Sequence, residues 1–160
     1  MTSPPPADLL AYLLAAAIRF SALPGIDAEQ LPPVRIVTPA ELSLAICPEA
    51  PTGCTNIVAA FETGQNVIFV RDDLDLENTV DNSFLLHEVV HVLQFRAKGE
   101  AIFQDCLTTK RTETLAYQVQ NAYLKKEGQF ARFGEALAFM TCAGEQNTFF
   151  TPEILGPPAQ

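Results

Sequence analysis

Only two histidines occur in this chain, His87 and His91, and they stand four residues apart with Glu88 directly after the first. Side chains at i and i+4 leave a helix on one face, so two imidazoles at this spacing can hold a single metal ion. Glu88, one position round the helix, can then reach a water bound to that ion and take its proton. Phe84, Leu85, Leu86, Val89, Val90, Val92, Leu93 and Phe95 surround the motif on nearly every side. Burying two imidazoles and a carboxylate in so apolar a helix without a ligand costs several kcal/mol of desolvation, which a bound cation offsets. Residue types and spacing therefore point to a zinc ion, with Glu88 as general base.

A catalytic zinc usually has three protein ligands and one exchangeable water. No third histidine exists, and Gln94 stands where the pattern with a downstream third histidine wants glycine, so the remaining ligand is a carboxylate, a cysteine or a group from outside. Glu113 is the best candidate. It falls early in the next long helical run, and Ala116 and Tyr117, at i+3 and i+4, share its face. A small Ala116 lets that helix come close to the histidine helix, and a turn at Gly99 gives the chain room to double back. Glu100, Asp105 and Glu127 compete, but Glu100 lies too near the turn and Glu127 at the far end of its helix.

These residues need elements to position them. The run 79–98 lacks Gly and Pro, has Asn78 or Thr79 as cap and Gly99 just past its end, and is apolar on nearly all sides, which predicts a central buried helix. A second long helix is predicted over 109–126, ended by Gly128, and a third from 129 to about 142, with Gly144 beyond. Upstream, residues 9–20 read as a helix with Asp8 near its N-cap after Pro4, Pro5 and Pro6. No Lys or Arg precedes that stretch and Arg19 interrupts its end, so it belongs to the mature fold and not to a signal peptide. The Pro- and Gly-bearing run 23–33 is a connection, 34–37 a strand, and 39–45 a short helix capped by Thr38 with Glu41 in its first turn. The runs 55–61 and 66–70 read as an antiparallel hairpin with Gly64 in the turn. Asp72, Asp73 and Asp75 form a solvated acidic loop, and the tail from about 151 is Pro-rich. The fold class expected is α+β: one domain over 1–160, a small antiparallel or mixed sheet packed on a central metal-binding helix, then a helical C-terminal half.

Composition narrows the partners. The chain has 160 residues, net charge -9 and 48% hydrophobic residues, enough apolar mass for a real core. An acidic surface repels phosphate backbones, so no nucleic-acid partner is expected. No segment reaches the roughly 18 apolar residues of a membrane span. Cys47, Cys54, Cys106 and Cys142 form an even number without a CxxC pair. Proximity pairs Cys47 with Cys54 across turns at Pro48, Pro51 and Gly53, which leaves Cys106 with Cys142. Disulfides favour a secreted or periplasmic setting, and four reduced thiols a cytoplasmic one.

The H-E-x-x-H helix from His87 to His91, followed by a separate helix bearing Glu113-Thr114-Leu115-Ala116, resembles the gluzincin metallopeptidases. With a small sheet ahead of the metal helix, the short chain is similar to their single-domain forms, the minigluzincins, over about residues 34–126. The resemblance implies a zinc-dependent peptidase in which His87, His91 and Glu113 are ligands and Glu88 is the general base, with Tyr117 or Tyr123 as the candidate that steadies the oxyanion. A peptide or protein substrate is expected to add as a strand to an exposed edge, with the run 66–70, bounded by Asn66 and Val70, as the best guess. Two alternatives remain. One is a zinc-binding interaction or regulatory module that hydrolyses nothing. The other is a deformylase-like site with Cys54 as third ligand, although that family's glycine-rich loop is absent.

Overall fold

A computed structural model describes residues 2–142; Gly144 and the Pro-rich tail expected from about 151 lie outside the described residues. The described chain is α+β, with a three-stranded mixed sheet, four α-helices and a helical second half. The sheet order is β1 (Val34–Val37), β3 (Val67–Arg71), β2 (Ala59–Glu62). β1 runs parallel to β3 with Val34 opposite Ile68, and β2 runs antiparallel to it with Ala59 opposite Val70. The hairpin is thus present but shorter than expected, with Gly64 in its turn as expected and Asn66, at φ 55°, as the turn's left-handed residue.

The order of the strands overturns one expectation. The run 66–70 is the central strand, hydrogen-bonded on both sides, so Asn66 to Val70 offer no free edge to a peptide. Both faces of the sheet are covered. Ala59, Phe61, Ile68 and Val70 pack on the face of α1 (Ala7–Ser21) and α3 (Thr79–Lys98), while Ala60, Val67 and Phe69 join Leu42 of α2 (Pro39–Ile46) on the other. Two-sided burial explains why β3 reads Val-Ile-Phe-Val without polar alternation.

Helix boundaries follow local chemistry. Thr38 and Glu41 cap α2 reciprocally, through a Glu41 N–H donated to Thr38 Oγ1 (3.2 Å) and a Thr38 N–H donated to Glu41 Oε2 (2.7 Å). Asn78 Oδ1 caps α3 by accepting from the N–H groups of Val80 and Asp81. In α1 the N-cap is Pro6, and Asp8 sits instead in the first turn, where it favours the helix dipole. α4 spans Cys106–Lys126, a turn longer at its start than expected, because Asp105 caps it by accepting from the Thr108 N–H at 2.8 Å. The predicted third helix is not formed. Gly134, at φ 80°, breaks the run, and only a 3-10 turn at Glu135–Phe139 follows.

α3 is buried on all sides around the motif, between α1, the sheet and α4. Ala116, fully buried, lies where α4 packs on it. Cys47 is bonded to Cys54 and Cys106 to Cys142, with Cα separations of 6.2 and 5.7 Å. These are the two expected pairs, and such bonds persist in oxidising surroundings. Among the described residues no helix is long and apolar enough to cross a membrane.

Candidate metal centre

α3 delivers His87 and His91 from one face, one turn apart, and α4 brings Glu113 across from the far side of the helical hairpin closed at Gly99. His87 Nε2 lies 3.1 Å from His91 Nε2 and 3.0 Å from Glu113 Oε2, while His91 Nε2 lies 3.2 Å from Glu113 Oε1. Two donors on a tetrahedral zinc, with bonds of about 2.0–2.1 Å, stand about 3.3 Å apart. Each of the three contacts comes within a few tenths of an ångström of that spacing, the two histidines meeting different oxygens of the Glu113 carboxylate. All three residues are buried, and together they form a group able to hold a metal ion.

The hydrogen bonds behind the rings decide which way the nitrogens point. Gln94 Nε2 donates to the Thr112 carbonyl at 2.9 Å, so Gln94 Oε1 faces His91 Nδ1, 2.7 Å away. Gln120 Nε2 donates at 2.9 Å to Ser83 Oγ, whose own hydrogen goes to the Val80 carbonyl, so Gln120 Oε1 faces His87 Nδ1 at 3.0 Å. An amide oxygen can only accept, so both Nδ1 atoms carry a hydrogen. In the neutral rings, both Nε2 lone pairs then point at each other and at a carboxylate. Glu113 Oε1 is buried without a well-formed hydrogen bond and lies 3.2 Å from His91 Nε2. Two lone pairs and an orphaned carboxylate oxygen aimed at one point repel unless a cation or a proton sits between them.

Electrostatics agree. Burial lowers the basicity of His91, but the Glu113 carboxylate beside it outweighs this and raises its pKa to about 9. Burial acts upward on Glu113, yet His91 and His87 hold its carboxyl well below the usual range. The site thus traps positive charge. Burial pushes the Glu88 carboxyl up, against the pull of both histidines.

Glu88 is buried next to the triad without joining it. Its Oε2 accepts from the backbone N–H of Phe61 at 2.8 Å, on the side of β2 away from β3. Tyr117 packs its ring on His87 with centroids 4.4 Å apart, and burial, with Glu113 and Glu88 nearby, raises its phenol far above the ordinary value, so it stays a neutral O–H. Tyr123 is committed elsewhere, its hydroxyl donating to Asn82 Oδ1 at 2.9 Å. The rival third ligands are also accounted for. Glu100 is exposed, Asp105 caps α4, and Glu127 accepts from the Tyr12 hydroxyl. Cys54 is tied to Cys47, which removes the deformylase-like alternative. Gln94 and Gln120, which hold the two rings, are the residues of this site whose part the sequence pattern did not reveal. No protein-family model matches the chain, and no curated protein or solved structure matches it either.

Proposed function

We propose that the chain is a zinc-dependent metallopeptidase of gluzincin type, with His87, His91 and Glu113 as ligands and Glu88 as general base. The observation that carries this reading is the aim of the triad: two imidazoles held as Nδ1–H by Gln94 and Gln120, with both Nε2 atoms and the buried Glu113 carboxylate converging. Two nitrogens and one carboxylate suit zinc and leave one coordination position open. Bound there, zinc would supply Lewis acidity, bringing the pKa of water toward neutrality and polarising a carbonyl. Glu88, its carboxyl raised by burial, takes the proton of the attacking water and returns it to the leaving amine. Tyr117, neutral and in contact with His87, is the candidate donor to the developing oxyanion. Glu88 accepts the Phe61 N–H on the outer side of the edge strand β2, which anchors the base next to the sheet. Two disulfides suit a secreted or periplasmic setting.

The test is metal analysis of the purified protein, followed by cleavage of a broad peptide library by the wild type and Glu88→Gln. About one zinc per chain in both, with hydrolysis lost by orders of magnitude in the variant, supports the reading. Full zinc with no cleavage by the wild type, or equal cleavage by the variant, sinks it. In the first case a zinc-binding regulatory module becomes the better account.

A further inference from the structure

The segment 131–142 carries no regular structure beyond one 3-10 turn, yet it is fastened to the helices at four points. Asn121 of α4 grips Phe133 with two backbone hydrogen bonds, Nδ2 donating to its carbonyl and Oδ1 accepting from its N–H, both at 2.9 Å. The Phe133 ring packs on Phe84 of α3 at 4.8 Å. Lys110 Nζ donates to the Met140 carbonyl at 2.6 Å. Cys142 is bonded to Cys106 at the head of α4. So many ties on so short a stretch hold something in place, and what lies under it is Tyr117.

Gly134 shows how closely. At φ 80° a side chain is already strained, and a Cβ built there would fall 2.3 Å from Tyr117 Cγ and 2.6 Å from Cδ2. The backbone therefore rests directly on the ring, and the three nearest atoms that a Cβ would meet all belong to Tyr117. The same ring contacts His87 at a centroid distance of 4.4 Å, so Tyr117 links the Gly134 backbone to the imidazole. The hydrogen bond to Gln120 holds one nitrogen of His87, and the Tyr117 ring packs against the imidazole as a further support that does not draw on the metal-facing nitrogen.

We propose that the strap 131–142 is a positioning device for the metal centre, in which Gly134 presses Tyr117 against His87 and so aims His87 Nε2 at the point where His91 and Glu113 converge. Gly134 and Asn121 are positioning residues that touch neither metal nor substrate. The proposal rests on the reading of His87 as a metal ligand. Its consequence is that the C-terminal disulfide, remote in sequence from the histidines, controls the quality of the site.

The test uses the full oxidised chain and Co²⁺ as a spectroscopic probe, with affinity measured against a competing chelator and coordination by the visible bands. Gly134→Ala should weaken Co²⁺ binding about tenfold or more and shift the bands, the size expected for a lost outer support. In a Tyr117→Leu background the same change should add little, since the ring through which it acts is gone. Asn121→Ala, which loosens the strap without crowding the ring, should shift the bands in the same direction, and it decides the matter if Gly134→Ala fails to fold. Wild-type affinity and bands in folded Gly134→Ala or Asn121→Ala, or independent addition of the Gly134 and Tyr117 effects, overturns the proposal. A folded wild type that binds no Co²⁺ overturns the metal-ligand reading itself, and the strap's role with it.

Discussion

Gln120→Leu removes the acceptor behind His87 while nearly conserving shape, and its effect should fall on metal binding more than on folding. Gln120 is fully buried, and its amide links His87 Nδ1 at 3.0 Å to Ser83 Oγ at 2.9 Å. Ser83 keeps its bond to the Val80 carbonyl, so the damage centres on the imidazole. A buried donor left without a partner costs about 1–3 kcal/mol. The metal-free protein can avoid that cost, because His87 can move its hydrogen to Nε2, where Glu113 Oε2 lies 3.0 Å away to accept it. The metal-bound protein cannot, since the cation needs the Nε2 lone pair and forces the hydrogen back onto an unpartnered Nδ1. The penalty therefore appears almost wholly as lost affinity, about 10- to 100-fold, which is also the usual cost of removing such a support. Zinc competition titrations of the wild type, Gln120→Leu and Gln120→Glu measure it. The carboxylate of the Gln120→Glu variant would retain an acceptor, so that variant should bind at least as tightly as the wild type. An affinity of Gln120→Leu within twofold of wild type would refute the tautomer argument.

Replacing His91 or Glu113 with Ala should abolish stoichiometric zinc, read by metal analysis after dialysis. His91 has its pKa raised from 6.5 to about 9, so its ion pair stabilises the metal-free fold fully below pH 6.5 and is lost as pH rises through 9. Thermal melts of chelator-treated protein should fall across that window, and zinc, which takes the proton's place, should flatten the fall. By the loop-entropy model, opening Cys106–Cys142, whose ends are 36 positions apart in sequence, should cost about 4 kcal/mol, and Cys47–Cys54, 7 apart, only about 2.5, measured as denaturation midpoints of the Cys→Ser pairs. Thr38→Ala should lose about 1 kcal/mol through the α2 cap, and an unchanged melting curve would contradict that role.

The elements most legible in the sequence are those with chemistry at both ends. α3 matches its expected bounds because Asn78 caps one end and Gly99, at φ 71°, stops the other. α2 is read from Thr38 and Glu41 alone. Where termination depends on tertiary packing, the reading slips. The run 129–142 has helix-forming composition, but Gly134 sits at positive φ with its backbone against Tyr117, 17 residues away in the chain. The strand order is hidden for a similar reason. Local pattern shows β3 to be apolar, yet whether it lies at the edge or in the centre depends on β1 crossing to pair with it in parallel, and nothing within the hairpin records that crossing.

The site divides along the same line. His87, Glu88 and His91 are legible because one helix turn brings them together, and Glu113 because elimination and a small Ala116 narrow the choice. Gln94 and Gln120 are not, since a glutamine can donate or accept and its role is set by where its NH₂ group goes. Here the Thr112 carbonyl and Ser83 take the donors and turn both oxygens toward the rings. The only trace in sequence is position: Gln94 stands three residues after His91, and Gln120 two helical turns after Glu113, each polar on a buried face. That both supports are amides has a chemical consequence. The three donors carry a single negative charge, that of Glu113, and the group behind each imidazole is a neutral amide that adds no other. A divalent cation held there would keep more of its charge than one bound by several carboxylates, which is what the proposed peptidase chemistry would draw on. Glu88, buried beside the triad and held by the Phe61 N–H, is a further carboxyl whose field the two histidines feel, so its protonation state would set how much of that charge is offset.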